Sequence, residues 1–147
     1  MRKAQAAMEF LMTYGWAILV VLVAVGALAY FGVLNPDRVL PEKCILSTGS
    51  GLFCDDYTSS AVDDTITLRI HNILSDSVTI SSVSIANPAC SSSGSVVIAA
   101  DEKSDVVLDC SDLAPGQKIK GDITVAFQKG SDGLDKSTTG SIVTVVP

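Results

Sequence analysis

The sequence predicts an α+β protein, in which a long N-terminal hydrophobic helix precedes an all-β, sandwich-like head domain. The helix is predicted because Phe10 to Pro36 form a run of 27 positions without a charged side chain. The sheet is predicted because apolar and polar side chains alternate at many later positions, as in half-buried strands. Only three of the eight aromatic residues lie beyond the helix, so the head must be built from Val, Ile and Leu, which favour strands.

The hydrophobic segment is predicted to be a retained membrane helix over residues 5–34. A bilayer core requires about 20 apolar residues of helix, whereas the apolar region of a cleaved secretory signal covers only about 7–15 residues. Arg2 and Lys3 precede the run and should stay in the cytoplasm, which places the rest of the chain outside. Asn35-Pro36, followed by Pro41, predicts the end of the helix. Residues 35–42 then form a stalk, and residues 43–147 form the extracellular head.

The charge of the chain is divided unevenly. From Asn35 onward, fifteen Asp and Glu residues face eight Lys and Arg residues, so the predicted head and stalk carry a net charge of −7. Nucleic acid binding needs a cluster of basic residues to neutralise phosphates. The sequence has no such cluster, and we expect no nucleic acid partner.

All four cysteines fall in the predicted extracellular part: Cys44, Cys54, Cys90 and Cys110. An even number of cysteines there predicts two disulfides in an oxidising compartment. The simplest pairing joins Cys44 to Cys54 and Cys90 to Cys110, because each bond closes a short loop, but two other pairings remain possible. Four free thiols are a further alternative. Zinc is disfavoured, because no two cysteines have metal-ligand spacing and the chain has one histidine.

The head is predicted to contain six or seven short strands. Period-2 alternation is clearest from Thr65 to His71 and from Lys118 to Phe127. Further strands are predicted at Val78–Ile85, Ser95–Ile98, Asp105–Leu108 and Ser141–Val146. The alternation of apolar residues shifts by one position between Ile80 and Val83, which predicts a bend or bulge at Ser81-Ser82. The serine-rich stretches Ser47–Ser60 and Ser91–Ser95 are predicted to be loops.

No residue of the predicted head indicates catalysis or a cofactor. His71 lies on the polar side of its strand, with no second histidine to share a metal. The acidic pairs Asp55-Asp56 and Asp63-Asp64, together with Asp132 to Asp135, could offer oxygen ligands to calcium, but none matches a full calcium-binding loop. We therefore expect an exposed histidine, solvated acidic turns and no enzymatic activity.

The N-terminus resembles the class III signal segment of archaeal type IV pilin-like proteins. The residues that carry this resemblance are Arg2-Lys3-Ala4, then Gln5 to Phe10 with Glu9, then Leu11 to Ile18. Members of that family are cut on the cytoplasmic side, ahead of the apolar helix, by a membrane aspartic peptidase. The resemblance places the cut between Ala4 and Gln5, although members more often have Gly at the position of Ala4. It covers about the first 35 residues, and the head has no motif of the family.

Glu9 has a physical role that agrees with this resemblance. A carboxylate at the edge of an apolar segment is costly to bury without a partner. Cleavage would create a charged amine at Gln5, and Glu9 of an adjacent subunit could neutralise it when helices bundle. The resemblance likewise implies that Gln5 and Glu9 align subunits during assembly. Alanines and glycines scattered along the helix would let helices pack closely. The alternative is that Glu9 only lies at the level of the lipid headgroups.

These observations together predict a prepilin. It would insert in the membrane, be trimmed by the prepilin peptidase and then polymerise through its N-terminal helices into a surface filament for adhesion or attachment, with membrane assembly machinery as a further partner. One alternative is an archaellin-like subunit of a motility filament. Another is a permanently membrane-anchored extracellular binding module. An exported enzyme is a third, but the sequence offers no candidate catalytic groups for it.

Overall fold

The computed structural model describes residues 2–32 and 40–147. The chain forms two compact units, residues 1–40 and residues 41–147, and each is described by itself. The described residues of the first unit contain one α-helix, α1 (Arg2–Tyr30). The second unit, called the head from here on, is all-β. The predicted fold class is therefore confirmed: a long apolar helix is followed by a β-sheet domain.

The helix ends earlier than the prolines predict. Its last residue is Tyr30, and Gly32 adopts a left-handed conformation with φ of 71°. The N–H of Phe31 donates to the carbonyl of Ala27 at 3.0 Å, and the N–H of Gly32 donates to that of Ala29 at 3.1 Å. A left-handed glycine after the last turn is a common helix stop, because glycine adopts positive φ at little cost. The predicted stop at Asn35-Pro36 and the predicted stalk up to residue 39 lie outside the described residues.

The head is a nine-stranded antiparallel sheet that curls into a nearly closed barrel or sandwich. Its strands are β1 (Lys43–Leu46), β2 (Leu52–Ser60), β3 (Thr65–Asn72), β4 (Val78–Ile85), β5 (Cys90–Ser92), β6 (Val96–Ile98), β7 (Lys103–Cys110), β8 (Lys118–Lys129) and β9 (Asp135–Val145). The hydrogen-bonded order is β1-β9-β8-β4-β5-β7-β3-β2, and β6 also pairs with β4.

The sheet consists of two halves that meet along two seams. The first half contains β1, β9, β8, β4 and β6, and the second contains β7, β3 and β2. At one seam the three-residue strand β5 hydrogen-bonds to β4 on one side and to β7 on the other. At the other seam β1 and β2 lie in contact without backbone pairing. Both seams therefore hold few backbone hydrogen bonds.

The core between the halves is aliphatic, as the sequence predicts. On β3 the side chains of Ile66, Leu68 and Ile70 are buried and those between them are not. On β8 the inward set continues the pattern over five alternate positions: Ile119, Gly121, Ile123, Val125 and Phe127. Alternation buries one face of each strand because successive side chains point to opposite faces.

Several strand predictions are confirmed. β4 spans Val78–Ile85 as predicted, and its register with β8 shifts between Ile80 and Ser82, which is the predicted bulge. β3 and β8 contain both segments of clear alternation. The remaining predicted strands exist, although β7 and β9 are longer than expected.

The prediction that Ser47–Ser60 and Ser91–Ser95 are loops is wrong for part of each stretch. Residues 52–60 form β2, whose register with β3 shifts between Cys54 and Asp56. That bulge inserts a residue into the alternation and hides the period-2 pattern. Residues 90–92 form β5, which is too short to show a period. The structure thus has more strands than the six or seven predicted, and β1 is among the additions.

Candidate functional site

Helix α1 is the largest uncovered apolar surface in the described residues. None of its residues is buried. Sixteen large apolar side chains of the first unit are exposed: Met8, Phe10, Leu11, Met12, Tyr14, Trp16, Ile18, Leu19, Val20, Val21, Leu22, Val23, Val25, Leu28, Tyr30 and Phe31. A helix that is apolar on all sides is stable only when lipid or other protein surrounds it. Among the described residues, α1 is the one helix long and apolar enough to cross a membrane.

Glu9 lies on this helix as a carboxylate without a partner. Its side chain is exposed and makes no hydrogen bond or ion pair within the described ranges. Its backbone carbonyl accepts a hydrogen bond from Oγ1 of Thr13 at 2.8 Å. The rings of Phe10 and Tyr14, on the same helix, have centroids 4.9 Å apart. The carboxylate is therefore available to a group from outside the chain, at the border of the apolar surface.

The predicted cleavage site lies in the first turn of the same helix. Ala4 and Gln5 are helical and exposed, as are the basic residues Arg2 and Lys3. The first four N–H groups of a helix have no partner within it, and this end frays most easily. A peptidase that needs an extended substrate would meet the Ala4–Gln5 bond where the helix opens at least cost. Cleavage itself stays a prediction.

A shallow groove runs along α1 and is lined by a stripe of apolar residues. The predictions from the sequence do not include it. Its lining side chains are Phe10, Tyr14, Ala17, Ile18, Val21 and Leu22. They recur at spacings of three and four, which places them on one side of a helix. The short side chain of Ala17 leaves the gap between its larger neighbours. The spacing was visible in the sequence, but the uniform apolarity of the segment concealed it.

The four predicted disulfide cysteines are paired in the head. Cys44 bonds to Cys54, with Cα atoms 5.8 Å apart, and Cys90 bonds to Cys110, with Cα atoms 4.1 Å apart. These are the pairings that close the two shortest loops, as the sequence predicts. The first bond crosses the β1–β2 seam, and the second joins β5 to β7 at the opposite seam. Each seam with few backbone hydrogen bonds is therefore closed covalently.

The polar residues weighed as possible ligands make structural contacts in the head. His71 Nε2 lies 3.2 Å from Oδ1 of Asp101, and Lys103 Nζ lies 3.0 Å from both carboxylate oxygens of Asp55. Oδ1 of Asp64 accepts a hydrogen bond from the N–H of Leu113 at 2.9 Å. Within residues 2–32 and 40–147, no three His, Cys, Asp or Glu side chains are grouped so that they could hold a metal ion.

One ion pair on the outer face of the head shifts the pKa of both partners. Arg69 Nε and Nη2 donate to Asp105 Oδ1 and Oδ2 at 2.7 and 3.0 Å. The hydrogen bond from Arg69 lowers the pKa of Asp105, and the hydrogen bond to Asp105 raises the pKa of Arg69. Nearby, partial burial raises the pKa of Tyr57, helped by the charges of Glu42 and Asp56. The shifts of Arg69 and Asp105 follow from strand pairing, because β3 and β7 place these two residues opposite each other.

Comparison with models of known protein families gives no match, and comparison with curated proteins gives none either. The chain itself has an apolar N-terminal helix that could serve as a membrane anchor or as a signal. Its two disulfides suggest that the head is an extracellular domain.

Proposed function

We propose that this chain is the structural subunit of an archaeal type IV pilus-like surface filament, polymerising through α1. The observation that carries the proposal is that α1 has no buried residue, whereas the head has a complete core of its own. A helix with fifteen large exposed apolar side chains must be covered by lipid or by copies of itself. The resemblance of residues 2–18 to pilin signal segments favours copies of itself as the final cover.

Cleavage of the leader allows α1 to leave the lipid and join the filament. In this proposal the prepilin peptidase cuts between Ala4 and Gln5, which removes the two basic residues that keep this end of the chain in the cytoplasm. The new amine of Gln5 then lies about one helical turn from Glu9. In a bundle, this amine of one subunit neutralises Glu9 of its neighbour, which makes burial of both charges in an apolar core affordable. Membrane assembly machinery is the implied partner for this step.

The head in this proposal remains outside and serves adhesion or surface attachment, without catalysis. Its disulfides suit an oxidising exterior, because such bonds form and persist there. A motility filament of the archaellin type would use the same helix and head, and is the nearest alternative within this class.

A permanently anchored surface module is the second candidate. The observation that favours it is the length of α1, because 29 residues span about 43 Å, more than the ~30 Å hydrocarbon core of a bilayer. Such a helix crosses the membrane without any second copy. The two candidates differ in what happens to Arg2 and Lys3.

The deciding experiment is mass spectrometry of the mature N-terminus, combined with electron microscopy of surface fibres labelled by an antibody to the head. The filament proposal predicts a chain that begins at Gln5 and labelled fibres. A mature chain that retains Arg2 and Lys3, found only as a membrane-bound monomer, would establish the anchored module instead.

A further inference from the structure

An open recess lies on the outer face of the head, where β8, β9 and β1 run side by side. Its volume is about 650 Å³. Strand register sets Asp122 of β8 opposite Ser141 of β9, and Ser141 opposite Ile45 of β1. Three more residues with hydroxyl groups line the remainder: Ser47, Thr48 and Thr139. These six residues are called the outer recess below.

Backbone pairing builds this recess. A Cβ atom at Gly140 would collide with the carbonyl oxygen of Ile45 and lie 2.9 Å from Cα of Leu46. The backbone of β1 therefore lies closer to β9 than a side chain there would permit. Just beyond, the N–H of Ser47 donates to the carbonyl of Thr139 at 2.8 Å. Because backbone contacts fix its walls, the recess is formed before any ligand arrives, as is usual for binding sites.

The polar side chains of the outer recess are not used by the fold. The hydroxyls of Ser47, Thr48, Thr139 and Ser141 make no hydrogen bond to another described residue, and neither does the carboxylate of Asp122. Elsewhere in the head, the hydroxyls of four other serines hydrogen-bond to the backbone: Ser50, Ser60, Ser81 and Ser92. The recess thus gathers four unused hydroxyls and one unused carboxylate around one concave surface.

The chemistry of these groups selects a class of ligand. Hydroxyls donate and accept hydrogen bonds, and a carboxylate accepts several. Ile45, 51% exposed, adds an aliphatic wall beside them. The one charged group of the six is negative, and the head as a whole is acidic, so phosphorylated, sulfated or nucleic acid ligands are repelled. An uncharged sugar ring matches these features. The hydroxyls along its edge can hydrogen-bond to the hydroxyls and the carboxylate, and the C–H groups on its face can pack against Ile45.

We propose that the outer recess binds a neutral oligosaccharide. Asp122 accepts hydrogen bonds from neighbouring sugar hydroxyls, Ser141 and Thr139 extend the polar contacts along β9, and Ile45 packs against a ring face. The inference rests on the proposed function, because it gives the adhesive subunit its ligand. It is nevertheless tested on a property of the head that does not require filaments.

The test measures retention of the full-length chain, solubilised in detergent, on cellulose, chitin and mannan particles, with uncoated polystyrene beads as the blank. Wild type should be retained on at least one polysaccharide and not on the blank. Asp122→Asn should weaken binding about tenfold or more, since hydrogen bonds to a charged group are the strongest in such a site. Thr139→Trp, which fills the recess, should abolish it.

Matched controls lie on the outer face of β7. Asp109→Asn removes an exposed carboxylate, and Val107→Ser removes an aliphatic side chain that is 49% exposed, the counterpart of an Ile45→Ser variant. Both controls should bind as wild type does, while Ile45→Ser should bind more weakly. Circular dichroism verifies the sheet in each variant.

Three results would overturn the inference: no retention of wild type on any of the three polysaccharides, undiminished binding by both Asp122→Asn and Thr139→Trp, or equal losses in the β7 controls. If the recess variants bind polysaccharide normally but form no fibres, the inference is also overturned, and the recess is then a contact between copies of the chain. Failure of the proposed function gives a different pattern, in which wild type forms no fibres and sugar binding persists.

Discussion

At the scale of single residues, Asn72 connects three segments of the head. Its side chain is fully buried at the end of β3. Nδ2 donates to the carbonyls of Asp76, Ile98 and Ala99 at 2.9, 3.2 and 3.1 Å, and Oδ1 accepts from the N–H of Leu74 at 3.0 Å. One amide therefore satisfies backbone groups in the β3–β4 loop and at the end of β6, and among them the carbonyl of Ile98 is buried.

We expect Asn72→Ala to lower the free energy of unfolding of the head by about 3 kcal/mol, because it removes four hydrogen bonds and leaves the buried carbonyl of Ile98 without this partner. Urea denaturation of residues 41–147 measures the change. Thr67→Ala, on the outer side of the same strand, is the matched control and should stay within about 0.5 kcal/mol of wild type. Equal midpoints for the two variants would contradict a structural role for the amide.

The ion pair between Arg69 and Asp105 predicts a small acid dependence of stability. The hydrogen bond from Arg69 lowers the pKa of Asp105 below its usual 3.8. A carboxyl group whose folded pKa is depressed stabilises the fold above its unfolded pKa, and this contribution disappears as pH falls through the folded pKa. Stability should therefore decline below about pH 4 by an amount that salt reduces, because both side chains are about half exposed.

Asp105→Asn should flatten this part of the pH profile in urea titrations at low salt, and Asp109→Asn should leave it unchanged. A steeper loss of stability in acid for Asp105→Asn than for wild type would show that folding does not lower the pKa of Asp105.

At the scale of elements, each disulfide joins two parts of the sheet that backbone pairing holds poorly. In the chain-entropy description, closing loops of 10 and 20 residues stabilises a protein by about 3 kcal/mol each. The double variant Cys44→Ser/Cys54→Ser should lose about that much and show faster hydrogen exchange in β1 and β2. The variant Cys90→Ser/Cys110→Ser should lose a similar amount, with faster exchange in β5 and the adjoining end of β7.

Removing both bonds should leave the head largely unfolded at 37 °C, because about 6 kcal/mol is a large share of the stability of a small domain. Hydrogen exchange that rises uniformly across the sheet in either double variant would contradict the assignment of one bond to each seam.

The elements also explain what the sequence could and could not predict. Strands β3, β4 and β8 were predictable because aliphatic residues alternate along them and their inward faces fill the core. β2 was not, because the bulge at Asp55 shifts its phase, and its inward positions include Tyr57 and Ser59 in place of aliphatic residues. The end of α1 was predicted too late in the sequence. Gly32 lies inside an apolar run and ends the helix through its backbone conformation alone. The outer recess was unpredictable, since it depends on which strands become neighbours.

At the scale of the whole molecule, the two units have opposite relations to solvent. The head buries most of its apolar side chains within its own sheet, whereas α1 buries none of its own. The charges divide in the same way, with a basic N-terminus and an acidic head. The head therefore has a hydrophobic core of its own, whereas α1 needs lipid or other protein to cover its apolar surface.

The variant Glu9→Ala tests whether copies of the chain cover α1. The variant should insert in membranes normally, since insertion depends on the apolar run, but it should yield about tenfold fewer fibres, because the amine of Gln5 loses its partner in the apolar core. Fibre counts by electron microscopy and membrane fractionation measure the two properties. Thr13→Val, one turn further along the same helix, is the control and should assemble normally. Undiminished fibre yield from Glu9→Ala would exclude a role for the carboxylate in assembly.

The nearest-neighbour disulfide pattern has a consequence for maturation. In a polypeptide held in a membrane by its front segment, the cysteines reach the far side in numerical order. Cys44 and Cys54 emerge first and can bond before Cys90 arrives, and Cys110 is then the one thiol left to pair with Cys90. Oxidation as the chain is translocated would then produce the native bonds directly, and an isomerase to shuffle them would be dispensable.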